Sequence, residues 1–113
     1  MSLGGEYGAR KLGDTVTLAF TSASATESSA LVAAQTGAGV FEKASFEIRT
    51  DVDCYIKQGK SGMAAVTTTT GYWVSPEMVP RIDVETTDER FLSVIGQASG
   101  TLYITKISKV ASS

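Results

Sequence analysis

The chain alternates between apolar and polar positions in short runs. In Asp14-Thr-Val-Thr-Leu-Ala-Phe20, Val16, Leu18 and Phe20 fall on one side, and Thr15, Thr17 and Ala19 on the other. Successive strand residues point to opposite faces, so a period of two predicts a strand with one buried face. The same reading puts Ala44, Phe46 and Ile48 inward, with Ser45, Glu47 and Arg49 outward. It continues with Val52, Cys54 and Ile56 inward, and Asp53, Tyr55 and Lys57 outward, with a bend or bulge at Asp51. Strands are also predicted over Met63–Thr70, Tyr72–Val74 and Val79–Glu85, where Ile82 and Val84 point in. Pro76 separates the last two, because it has no N–H to give to a ladder. Phe91–Ile95 is almost continuously apolar, the pattern of a central strand covered on both faces. Gln97–Gly100 reads as a tight turn that makes Phe91–Ile95 and Thr101–Ile107 a C-terminal hairpin.

Turn residues punctuate these runs at Gln58–Gly62, Gly71 and Thr86–Arg90. Residues 21–36 are small and hydroxyl-rich, and Gly37-Ala-Gly39 closes them. Ser28–Ala34 has some helical propensity, but Ser and Thr hydroxyls compete for backbone groups. A connection with a short strand or turn near Leu31 and Val32 is therefore expected there. Residues 1–13, with Gly4, Gly5, Gly8 and Gly13, read as a flexible N-terminal arm ahead of one β domain over residues 14–113. About seven or eight short strands with regular turns predict an all-β fold. The expected form is a single-domain antiparallel β-sandwich or jelly roll, with a closed barrel as the other arrangement.

Composition narrows the function classes. The chain has 113 residues, 42% of them hydrophobic and 19% charged. A chain of that length buries about 65% of its unfolded surface, enough for one core. The net charge is −2 and the ten Lys and Arg are scattered, so no basic stripe for nucleic acid is visible. No apolar run approaches the ~20 residues of a membrane span, and the N-terminus lacks a signal-peptide core. Synthesis in a cytosol without an export address is expected. Cys54 is the single cysteine and there is no histidine, which excludes an internal disulfide and removes the commonest zinc ligand and general base.

The motifs are weak. Gly59-Lys60-Ser61 looks like the end of a phosphate loop, but Cys54 stands where the first glycine belongs and a strand, not a helix, is expected to follow. Asp83, Glu85, Asp88 and Glu89, with Asp51 and Asp53, are oxygen donors that suit calcium, yet their spacing matches no helix-loop-helix calcium loop. Nothing suggests a cleft that would raise a carboxyl pKa for glycoside hydrolysis. Cys54 lies on an apolar face, as a small buried hydrophobe does, and no base is available to make it a nucleophile. Tyr55, Tyr72, Trp73 and Tyr103 remain as aromatics that stack on a sugar, bury at a protein interface, or are covered by the chain's own loops.

Three segments carry a resemblance. They are Ser22-Ala-Ser-Ala-Thr-Glu-Ser-Ser-Ala-Leu31, Asp51-Val-Asp-Cys-Tyr-Ile-Lys-Gln-Gly59 and Phe91-Leu-Ser-Val-Ile-Gly-Gln-Ala-Ser-Gly-Thr-Leu-Tyr-Ile-Thr105. With them the chain resembles, over residues 14–107, the small β-sandwich accessory virion proteins of tailed bacteriophages. The resemblance implies a non-enzymatic head decoration (cement) protein, made in the bacterial host cytoplasm and placed on the head exterior. Its partner would be the major capsid protein. A homo-oligomer is expected, with a trimer favoured, and no cofactor, metal, nucleic acid or membrane. The expected contact residues are Tyr7, Arg10 and Lys11 in the arm, and Tyr55, Tyr72, Trp73 and Tyr103 on the domain. The alternative is a carbohydrate- or receptor-binding module of a phage tail or fibre, with Tyr72, Trp73 and Tyr103 as its platform.

Overall fold

The computed structural model describes residues 10–33 and 43–109, with the backbone alone at 10, 11, 108 and 109. Eight strands run through them: β1 Arg10–Phe20, β2 Thr26–Glu27, β3 Ala44–Thr50, β4 Cys54–Gly59, β5 Tyr72–Val74, β6 Arg81–Val84, β7 Phe91–Gly96 and β8 Gly100–Lys109. Thr87–Glu89 forms one turn of 3₁₀ helix before β7. The strands make two antiparallel four-stranded sheets, ordered β1-β8-β3-β6 and β2-β7-β4-β5.

The pairings explain the topology. β1 pairs with β8, β2 with β7, β3 with β6 and β4 with β5. That is one long ribbon doubled back on itself at the β4–β5 connection. Rolling the ribbon adds β3 against β8 and β4 against β7, and closes the two sheets face to face. This is a jelly roll, one of the two expected forms.

The alternation sets the core. Phe46 and Ile48 from β3, Leu102 and Ile104 from β8, and Val84 from β6 meet Cys54, Ile56, Val74, Leu92 and Val94 of the other sheet. Gln58 ties the sheets together, because its side-chain amide donates to the carbonyls of Asp83 and Glu89 at 2.9 Å each.

The chain changes sheet three times at one end, after β1, after β3 and after β7. Asp51 marks the second crossing, where a bend was expected. Its carboxylate accepts the Thr101 N–H at 2.7 Å, and the Gln97 N–H reaches the Asp53 carbonyl at 2.9 Å. Phe20 packs under Gly96 and Gly100; a Cβ on Gly96 would stand 2.4 Å from both the Phe20 ring and the Ala98 carbonyl. Only a bare backbone fits there.

Four expectations are corrected. Phe91–Ile95 and Thr101–Ile107 do not form a hairpin: β7 lies in one sheet and β8 in the other. β7 pairs with β2 and β4, and β8 with β1 and β3. Met63–Thr70 is not a strand. Its backbone is held by hydroxyls instead: Thr67 N–H donates to Thr70 Oγ1, Thr69 and Thr70 N–H to Thr67 Oγ1, and Val66 N–H to Ser93 Oγ. The short strand of the hydroxyl-rich segment lies at Thr26–Glu27, while Leu31 and Val32 sit in a bend and Val32 is buried. Residues 10–13, assigned to the arm, belong to β1. Residues 1–9, and the Gly37–Gly39 closure, lie outside the described residues.

Gly96→Ala is expected to destabilise the fold by about 1–3 kcal/mol, because the Ala98 carbonyl cannot yield as a flexible side chain would. Urea denaturation followed by tryptophan fluorescence measures it. An unchanged midpoint would show that the corner is loosely packed.

Candidate interaction surface

The two outer sheet faces differ. That of the β2-β7-β4-β5 sheet is partly covered by the chain itself, through residues 60–71, with Trp73 left exposed on β5. Gly62, with φ of 76°, donates its N–H to Glu27 Oε1 at 3.0 Å. Val66 is buried over Ser93, and Gly71 packs so closely on Val66 and Tyr55 that a Cβ would collide with both. Tyr55, expected to be outward, does face outward on β4, but it is half-buried under this cover and its hydroxyl accepts from the Gln97 amide at 3.1 Å.

On the β1-β8-β3-β6 sheet, Glu47 and Ile107 of the outer face are buried, at 6% and 5% exposure, while Tyr103, Arg49 and Thr17 are exposed. Tyr103, 38% exposed, stands there in register with Thr17 of β1 and Arg49 of β3. In the next outward row, Thr105 lies between Thr15 and Glu47, and Arg81 follows Glu47. Thr15 and Thr105 join hydroxyls at 2.7 Å. Ser45 donates to Asp83 Oδ1 at 2.6 Å, and Arg81 lies 3.4 Å from the same oxygen. The Ser45 hydrogen bond, then Arg81, hold the Asp83 carboxyl below its usual range. This pair is solvated and contributes little stability.

A bulge shapes the same face. Gly13 and Asp14 stand opposite Lys106 alone, since Leu12 pairs with Ile107 and Thr15 with Thr105. One extra residue reverses the alternation. Leu12 is thereby turned away from the Val16 and Leu18 side and onto the Tyr103 side, 63% exposed beside Ile107. The resulting surface combines an aromatic ring, a guanidinium that makes no ion pair among the described residues, hydroxyls and an exposed leucine. Tyr and Arg are the residue types that anchor protein interfaces.

The expected contact residues do not converge. Tyr7 and the side chains of Arg10 and Lys11 lie outside what is described. Tyr72 and Trp73, 57% and 48% exposed, are neighbours on β5 and so point to opposite faces. Tyr72 is on the Ile56 side and borders a groove of about 430 Å³ with Gln58, Pro80, Arg81, Ile82 and Leu92. Trp73 is beside Tyr55 on the far face. Tyr103 is on the other sheet. The three rings therefore make no single platform for a sugar. Sequence reasoning had placed Arg49 and Thr17 outward without selecting them. Only the strand order β1-β8-β3 makes them Tyr103's neighbours.

The acidic residues have structural uses. Glu89 Oε1 accepts the N–H groups of Glu85 and Thr86 at 2.8 and 3.0 Å, and Asp51 is bound at the corner. Among the described residues no group of three or more His, Cys, Asp or Glu is placed to hold a metal ion. Among the described residues no helix is long and apolar enough to cross a membrane. Cys54 is fully buried between the sheets, and burial raises its thiol pKa, with a smaller opposing pull from the Thr50 hydroxyl and small upward pushes from Asp53 and Asp51. No protein-family model, curated protein or solved structure matches this chain.

Two predictions follow from this geometry. Tyr103→Ala should change stability by no more than about 0.5 kcal/mol, whereas Ile104→Ala, one residue on and facing the core, should cost about 2–5 kcal/mol by urea denaturation. Equal costs would mean that Tyr103 is a core residue. Cys54 should resist a thiol reagent in the native protein and react on unfolding. Because the folded chain holds the thiol proton more tightly, the linked stability is present below the ordinary thiol range and is lost as pH rises from there through the higher folded value. Prompt labelling of native protein would contradict the burial.

Proposed function

We propose that this protein is a non-enzymatic virion structural protein that decorates a tailed-phage capsid by laying the Tyr103 face of the β1-β8-β3-β6 sheet across capsid subunits. The observation that carries this reading is the contrast between the two outer faces. Residues 60–71 cover much of one, with Trp73 left exposed at its β5 edge, while the other leaves Tyr103, Arg49, Thr17 and Leu12 to solvent around the buried Glu47 and Ile107. The resemblance of residues 22–31, 51–59 and 91–105 to phage accessory proteins supplies the partner, the major capsid protein on the head exterior.

The mechanism is mass action. A subunit that binds only the assembled lattice stabilises it by RT ln(1 + [L]/Kd), about 2.7 kcal/mol per site at a hundredfold excess over Kd. Many copies multiply that increment, and a contact bridging two capsid subunits resists their separation. Nothing in this work makes or breaks a covalent bond, and it needs a rigid surface, which a sheet provides.

Heads of the encoding phage, prepared with and without the protein, provide the test. Decorated heads should withstand heating and osmotic shock that open bare ones, and equal resistance would defeat the proposal. Tyr103→Ala and Arg49→Glu should each weaken binding to bare heads about thirtyfold, or about 2 kcal/mol, as interface anchors do. Unaltered binding by both variants would move the contact to another face. Binding to a glycan array instead of to heads would favour the tail adhesion reading.

A further inference from the structure

Four strands form the open sides of the sandwich: β1 and β6 in one sheet, β2 and β5 in the other. An edge strand offers unpaired N–H and C=O groups, and proteins blunt such edges by shortness, charge, proline or a bulge. β2 has two residues and β5 three. β6 has four, follows Pro80, and carries Arg81 and Asp83. β1 is managed differently. It spans eleven residues, and among the described residues it pairs on one side alone, with β8. Its bulge is confined to Gly13 and Asp14, and beyond it Thr15-Val-Thr-Leu-Ala-Phe20 contains no charge, proline or glycine.

Two further observations fall on the same edge. Val16 is 52% exposed although it pairs with Ile104 on the core-facing side. Beside it a groove of about 220 Å³ opens between the sheets, with Val16, Leu18, Leu31, Phe46 and Ile104 on its apolar wall and Asp14 and Lys106 also lining it. The edge thus presents hydrogen-bonding groups along its length and a largely apolar recess along its inner side.

We propose that β1 pairs with β1 of a second copy, antiparallel about a twofold axis, so that two four-stranded sheets become one of eight strands. The segment is complementary to itself. Set antiparallel about Thr17, Thr15 faces Ala19, Val16 faces Leu18, and Thr17 faces its own counterpart. Small residues meet small residues on the outer face, and aliphatic residues meet over the groove on the inner one. No charged residue lies between Thr15 and Ala19, and Asp14 falls just outside the paired stretch. A twofold contact uses the same patch on both copies, as a strand meeting itself does. The pairing also sets the two Tyr103 faces side by side, with Arg49, Tyr103 and Thr17 of each copy in one continuous row. It gives an assembly of two copies, where the resemblance implied three, and it holds whatever that outer face binds.

The test is the mass of the purified full chain by light scattering and sedimentation. Wild-type protein should have the mass of two chains, and Val16→Lys, which plants a charge on the edge, the mass of one with an unchanged circular dichroism spectrum. A second variant decides the matter should Val16→Lys fail to fold. Thr17→Cys places two thiols across the axis, with Cβ atoms about 5 Å apart for directly opposed residues. A short bis-maleimide should join them into a two-chain product, whereas Thr69→Cys, on the loop over the other sheet, should give none. Cys54 is buried and does not compete. A wild-type mass of one chain at every concentration, a mass of three, a two-chain Val16→Lys, or a Thr17→Cys that is not joined would each overturn the proposal.

Discussion

The rest of the molecule depends on the packing of Phe20 beneath two glycines at the end where the chain passes between sheets. Three connections cross there, and each must turn sharply without burying unpaired backbone groups. The structure meets that demand with a small set of contacts. Gly96 N–H bonds to the Thr21 carbonyl, Gln97 N–H to the Asp53 carbonyl, and Thr101 N–H to the Asp51 carboxylate. Each bond links two different crossings, so the three are held in mutual register. Because β1, β4 and β8 all begin or end at this corner, its geometry fixes how the two sheets face each other. The core alternation can then bring Ile48, Leu92, Val94 and Leu102 together.

The sandwich has two outer faces with different fates, and the difference comes from polar side chains in loops. Residues 60–71 could in principle have added a strand to an edge. Thr67, Thr70, Ser93 and Glu27 instead take up their backbone N–H groups, and the segment folds over its own sheet with Val66 as the apolar plug. On the opposite sheet the bulge at Gly13 and Asp14 brings an apolar side chain to the outer surface. One face is thereby largely covered within the chain, apart from Trp73. The other keeps an aromatic and a guanidinium exposed near its centre.

Local rules sufficed wherever a residue's surroundings are set by its immediate neighbours. The inward positions of Phe46, Ile48, Cys54, Ile56, Ile82 and Val84, and the outward positions of Tyr55 and Tyr103, follow from a period of two that needs no knowledge of pairing. The same holds for the bend at Asp51 and the break at Pro76. The readings that failed needed a partner. A Gly-bounded turn between two apolar runs looks like a hairpin in one dimension, yet β7 and β8 each had a longer-range ladder available. The threonine run looked like a strand because β-propensity records side-chain shape and ignores competing hydroxyls.

By itself, then, the sequence determined that this is a β protein, which side chains of most strands are buried, and that Cys54 belongs to the core. Only the tertiary structure decided which strands are neighbours, and with that which outward residues meet. Tyr72, Trp73 and Tyr103 are close to one another in composition but lie on different surfaces. Arg49, Tyr103 and Thr17 are far apart along the chain but share one row. The physical reason is that alternation assigns a side chain to a face, whereas a surface is made by laying strands side by side, and their order is set by the energy of the whole rolled ribbon.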